Sequence, residues 1–360
     1  MRLRFSFISM IVSVLSAGTG YSQTVTGTLD GYWSYNNNTP AFRLNTVRAF
    51  DIKDQSFSMN YGELALDYKP AEVGVRVDVG FGDAADIVHR NPADNQIWRH
   101  IQQAYISGTK GKFTVDFGKW VTPIGSEVIE TKDDWNYTRG LLFTFAVPRY
   151  HFGARGTLAA SDKATIGGYV VNGWDNVRDN NTAKSVGFVG TFKPLDTLTF
   201  TTNVLVGKET TTVFAVGNQN PADGYRQLFD GVVTFKPTER VSLMTNYNYT
   251  RDKSFGPGVF WQGVAVYGKA RASDKLTIAS RYEWFGDQHN AFRTGNSQNL
   301  QSFTATSQIP WSTMTLWGEY RRDWANAATF NKTVGIDSSL VDNQNTFTVG
   351  VTYALTKTVE

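Results

Sequence analysis

Residues 73–81 read VGVRVDVGF. Val73, Val75, Val77, Val79 and Phe81 alternate with Gly74, Arg76, Asp78 and Gly80. A helix would gather every third or fourth residue on one side, whereas successive strand side chains point to opposite faces. The stretch therefore builds a strand with one apolar and one polar face. The same period of two returns over residues 276–284, where Leu276, Ile278, Ser280, Tyr282 and Trp284 alternate with Thr277, Ala279, Arg281 and Glu283. It returns again over 241–249 and 346–355. The polar faces carry opposed charges close together: Arg76 with Asp78, Arg281 with Glu283, Glu319 with Arg321.

The connections outside these runs alternate between short and long. The short ones lie at 69–72, 109–112, 161–163, 194–196, 237–239, 273–275 and 310–312, each holding Gly, Pro, Asp or Ser, as tight turns require. The long ones run approximately over 36–55, 83–98, 122–148, 174–183, 209–224, 252–258, 287–297 and 325–342. Between them lie sixteen strands, near 25–35, 56–68, 72–82, 99–109, 112–121, 149–159, 163–173, 184–193, 197–208, 225–236, 239–251, 259–272, 275–286, 298–309, 313–324 and 344–356. A soluble sandwich shares the alternation, but its strands average about five or six residues, against about ten here. An even strand count with both ends on the short-turn side is the plan of a bacterial outer-membrane barrel. The expected fold class is all-β, a 16-stranded antiparallel transmembrane β-barrel with short periplasmic turns and long extracellular loops. Sixteen strands close around an aqueous channel, whereas eight leave an interior that side chains fill. Tyr68, Phe192 and Phe235 are expected at the short-turn rim, and Trp33, Trp120, Trp174, Trp284 and Trp324 at the other interface. The faces near 99–109, 184–193 and 259–272 are ambiguous by pattern.

Composition agrees with that plan. No apolar run after the first residues approaches the roughly 20 that a membrane helix needs. Arg2 and Arg4, the apolar run 5–15 and the small residues 16–20 have the order of a secretory signal. A signal peptide is expected over 1–22, followed by one barrel domain over 24–360. Loss of Arg2 and Arg4 takes the formal charge from +3 to +1, and no basic cluster marks a nucleic-acid footprint. With no cysteine there is neither a disulfide framework nor a cysteine-based zinc site. His89, His100, His151 and His289 lack metal-ligand spacing, and neither a G-x-S-x-G elbow nor a phosphate loop is present. No cofactor, metal or catalytic residue is assigned.

Residues 113–155 read FTVDFGKWVTPIGSEVIETKDDWNYTRGLLFTFAVPRYHFGAR. Two strand-like ends flank the third long loop. In sixteen-stranded general porins the third loop folds inward, a fold-level analogy. Residues 122–148 are therefore expected to enter the barrel, with Glu127, Glu130, Asp133, Asp134 and Arg139 forming a constriction. The four carboxylates also suit Ca²⁺, but lack a recognisable 12-residue calcium loop. Arg76, Asp78, Asp116, His151, Arg155, Arg281, Glu283, Glu319 and Arg321 are expected to face the lumen, with Arg76, Arg155 and Arg281 opposite the acidic loop. Two alternatives stand beside a porin. One is a barrel-borne enzyme of lipase or protease type, with His151 as its best base; the other is a plugged structural or adhesive barrel.

The run Gly118 to Glu127 (GKWVTPIGSE), followed by Asn136-Tyr137-Thr138-Arg139, Phe143, Pro148 and His151-Phe152-Gly153, resembles the Gly-Lys-x-x-Thr-Pro-x-Gly-x-Glu region of the OmpL-like β-barrel porin-2 family. Val171 to Asp175, with Asn180 and Asn181, is similar to the family's next strand and loop. The likeness extends over about Thr24 to Glu360. It implies the outer membrane of a Gram-negative bacterium and passive passage of small hydrophilic solutes or ions. Partners are then outer-membrane lipid and the solutes themselves, with no nucleic acid. A homotrimer is one of the assemblies open to such a barrel.

Overall fold

A computed structural model describes residues 23–69, 71–89, 94, 96–210, 223–255, 258–287, 298–335 and 337–359. The expected signal peptide at 1–22 and His289 lie outside the described residues. The strands are β1 (Gln23–Asn36), β2 (Ser58–Tyr68), β3 (Val73–Phe81), β4 (Ile101–Lys110), β5 (Phe113–Val121), β6 (Tyr150–Ser161), β7 (Ala164–Val171), β8 (Ser185–Leu195) and β9 (Leu198–Thr210). They continue with β10 (Asp223–Phe235), β11 (Val241–Asp252), β12 (Phe260–Ser273), β13 (Leu276–Asp287), β14 (Gln298–Trp311), β15 (Met314–Ala325), β16 (Phe330–Val334), β17 (Asp337–Val341) and β18 (Asn343–Val359).

Sixteen of them close into one antiparallel barrel in chain order, with β18 sealing the gap between β15 and β1. The seam is long: β1 and β18 stay in register from Gln23 opposite Val359 to Asn36 opposite Thr346. Closure leaves no open sheet edge, which hydrocarbon does not tolerate. Observed strand ends fall within a few residues of those read from the alternation. β16 and β17 form a separate hairpin inside the last long loop, which the pattern did not show.

Alternation sorts the side chains by solvent. Ile106, Phe117, Val266, Val349 and Val351 stand exposed on the outer wall, while Asp78, Asn203, Asp230, Arg281 and Asp323 are buried inside. This apolar-out, polar-in order is that of a membrane barrel. Phe192 and Phe235 are exposed beside the short turns. On the opposite rim the expectation needs correcting. Trp33 lies on the outer wall beside Val349, and Trp324 packs near Tyr282. Trp120 and Trp174, however, are buried in an internal apolar cluster.

That cluster explains the ambiguous faces of the segment at 259–272. β12 turns Trp261, Ala265 and Tyr267 inward, where they pack against Leu141, Leu142 and Ala146 of the third loop. Both faces of that strand are apolar because one meets lipid and the other meets loop. A second cluster joins the loops to each other. Ala84, Ala85, Ile87 and Val88 of helix α1 (Asp83–Val88) meet Phe50 of the first loop, Ile129 and Phe143 of the third and Val177 of the fourth.

Candidate pore and its third loop

The third loop leaves β5 at Val121 and returns at Tyr150, its base closed by the Thr122 N–H donating to the Arg149 carbonyl at 3.0 Å. It then crosses the lumen. Gly125, at φ 95°, sends its N–H to Asp230 of β10 at 3.0 Å, and the Ser126 hydroxyl donates to Tyr267 of β12 at 3.1 Å. Glu127 Oε1 accepts from Arg281 of β13 at 2.5 Å. The N–H groups of Tyr137 and Thr138 donate to Glu319 of β15 at 2.7 and 3.1 Å. The hydroxyls of Thr131 and Tyr137 both donate to Asp30 of β1 at 2.5 Å.

The anchors therefore centre on the wall about half a circumference from where the loop begins. An irregular buried chain has amides and carbonyls without a ladder to satisfy them. Here wall carboxylates accept from loop N–H groups, and wall guanidiniums donate to loop carbonyls. Arg281 reaches the Thr138 carbonyl at 2.7 Å and Arg321 the Arg139 carbonyl at 2.6 Å. Such charge-assisted bonds are the strong ones. The returning half, a helical turn over Leu142–Ala146, packs by apolar contact instead, with Phe145 stacked on Phe285 at 5.6 Å.

Of the five loop residues singled out in the sequence, only Asp134 and Arg139 pair with each other. Glu127 pairs with Arg281. Asp134 pairs with Arg139 at 2.8 Å within the loop. Arg139 is buried and caged by the Val128, Ile129 and Tyr137 carbonyls, each at 2.7 Å. Asp133 pairs with its neighbour Lys132. Glu130 makes no ion pair among the described residues; burial first, then Asp133 and Asp78, holds its carboxyl above the usual range, while Lys132 opposes.

The wall charges also differ from the expected set in one respect. Arg76 pairs with Asp78 on its own strand at 3.0 Å, and Arg155 with Asp116 on the adjacent strand at 2.6 Å. Neither forms an ion pair with the acidic loop, because each has a carboxylate within one or two residues of strand register. Arg281 alone of the three meets the loop, and also forms an ion pair with Glu283 at 2.8 Å. His151 lies 3.1 Å from the Thr122 hydroxyl, between Trp120 and Tyr169. Among the described residues no serine hydroxyl or carboxylate bonds it.

Asp30, Asp230, Tyr267 and Arg48 belong to the site but were not singled out in the sequence. Arg48, from the first loop, pairs with Asp51 and Asp323 at 3.1 and 2.9 Å. Strand parity marks Asp30 and Asp230 as inward, since each alternates with Leu29 or Phe229, but parity cannot say what an inward carboxylate holds. Among the described residues no group of three acidic or histidine side chains is placed to hold a metal ion.

A closed barrel with an apolar outer wall and a charged, loop-crossed lumen defines a channel-type protein of the bacterial outer membrane. The chain belongs to the family described as "Putative beta-barrel porin-2, OmpL-like", which matches residues 22–355; it is an outer-membrane porin. No curated protein matches it in sequence. Its fold is similar to that of OmpT, an outer membrane protein of Vibrio cholerae, with a TM-score of 0.64 and 13% identity over 94% of this chain and 99% of that one. It is similar to OmpF of Salmonella typhi, solved with daunomycin, with a TM-score of 0.61 and 13% identity over 93% and 98%. It is also similar to the outer membrane channel DcaP of Acinetobacter baumannii, with a TM-score of 0.58 and 12% identity over 94% and 99%.

Proposed function

We propose that this porin passes small hydrophilic solutes and ions passively, and that the third loop, residues 122–148, sets the width of the passage. The observation that carries this reading is the crossing itself: a loop rooted between β5 and β6 bonds to Arg281 and Glu319 on the far side, and to Asp230 and Asp30 on the walls that flank it. Charged side chains in a narrow lumen bias ion passage and deter apolar solutes. Of the proposed constriction residues, Glu127, Asp134 and Arg139 neutralise one another or the wall and so act as anchors. Asp133 is offset by its neighbour Lys132, which leaves Glu130 as the loop carboxyl with no ion pair among the described residues. Residues 1–22 serve as the export signal, and the barrel carries out no catalysis. Three copies assemble, a reading supported by the trimer form in which OmpT of Vibrio cholerae is described.

Planar-bilayer recording on the purified protein tests the central claim. Discrete open-channel steps are the expected result, and their absence at all voltages would leave a plugged structural barrel as the better account. Native mass spectrometry in detergent reads the assembly, with three copies expected.

A further inference from the structure

Beneath the third loop, at the short-turn end of β10–β14, lies a cavity of about 800 Å³. Lys236, Arg240, Lys269 and Arg271 line it, against one carboxylate, Glu239. Strand register confirms that the cations of β12 point into the lumen: Tyr267 is inward and bonds the loop, and Lys269 and Arg271 follow at the same parity. None of the four makes an ion pair among the described residues. The lumenal arginines elsewhere differ: Arg76, Arg155, Arg281 and Arg321 each have a carboxylate within 3.0 Å. A smaller cavity of about 210 Å³ at the same end of β2–β5 is balanced, with Asp67 and Asp116 beside Lys69 and Arg76.

We propose that the larger cavity is an anion-collecting vestibule at the periplasmic mouth, which takes small solutes bearing carboxylate or phosphate groups. The proposal rests on the porin reading above. Four cations in a cleft with low-dielectric walls focus a positive potential and raise the local concentration of anions. The two arginines offer planar forks that match carboxylate and phosphate oxygens in pairs. Trp135 of the third loop closes the cavity from above, with the Lys269 ammonium 4.7 Å from its ring centroid. An anion gathered here lies directly against the loop that crosses the passage.

The test is reversal potential under a KCl gradient, with the mature chain in planar bilayers. Wild-type protein is expected to prefer chloride, and inorganic phosphate is expected to reduce chloride current more from one side than from the other. Combined Lys236→Gln, Arg240→Gln, Lys269→Gln and Arg271→Gln substitution should shift the reversal potential toward potassium and abolish the phosphate effect. Glu239→Gln should shift it the opposite way. If the fourfold variant does not refold, Lys236→Gln with Arg240→Gln in the exposed turn gives the same readout with a smaller shift. A conducting channel whose reversal potential is unmoved by these changes overturns the vestibule and leaves the porin reading standing. A protein that never conducts overturns the porin reading beneath it.

Discussion

Arg281 binds four partners at once: Glu127, the Thr138 carbonyl, Thr304 and Glu283. It joins the third loop to the wall, and both of its carboxylates are buried. Taking one partner out of a buried charge network strands the others, at a cost of about 3–5 kcal/mol. Arg281→Ala is therefore expected to release the loop from β13, lower the thermal transition and raise single-channel conductance; unchanged conductance would show that the loop does not narrow the passage here. Arg281→Lys should recover only part of this, because an ammonium cannot reach the fork of contacts a guanidinium makes. A neighbouring contact has a steric basis. A Cβ at Gly350 would lie 2.3 Å from the Tyr137 ring, so Gly350→Val should push Tyr137 off Asp30. Conductance of that variant should rise, and Tyr137→Phe, which loses only the hydroxyl bond, should change it less.

The third loop as an element should respond to pH through Glu130. Burial raises this carboxyl, Asp133 and Asp78 repel it, Lys132 attracts it, and Glu63 of β2 lies close enough to interact. A raised acid favours the docked loop when protonated. That stabilisation is complete below the ordinary carboxylate range and is lost as pH rises through the raised value. Acidification from neutral pH to about 4, within the ordinary carboxylate range, is thus expected to hold the loop in place and lower conductance. Glu130→Gln should show the low conductance at every pH; a wild-type profile retained in this variant would remove Glu130 from the response. The loop's existence and place were legible in the sequence, since turn residues count it off as the third long connection. Its anchors were legible only in part. Opposed charges such as Arg281 and Glu283 stand out within one strand, but each strand supplies its own nearest partner. Which arginine turns to the loop instead depends on where an irregular chain happens to lay its amides, and no period records that. The apolar return of the loop, Leu141 to Val147, gave the same uncertainty from the other side: it made the inward face of β12 apolar and hid the alternation.

At the scale of the whole molecule, the fold was readable because lipid outside and polar groups inside impose one strict period on every strand. The same principle makes a direct stability prediction. Val266 lies near the middle of β12, exposed on the outer wall, and its neighbours at the same parity, Val264 and Phe260, also face outward. Thr199 of β9 points inward opposite Thr234, toward the short-turn end of the lumen. A lysine on the lipid face near the bilayer midplane costs about 2–4 kcal/mol, whereas a lumenal substitution leaves the hydrocarbon contact untouched. Val266→Lys should therefore lower the unfolding free energy in lipid vesicles by about that amount, read from reversible denaturant titration of tryptophan fluorescence. Thr199→Lys should change stability little and add one more cation near the vestibule, moving the reversal potential further toward chloride. Equal destabilisation by the two lysines would mean that the two faces do not meet different solvents, and the barrel's assigned inside and outside would have to be exchanged or abandoned.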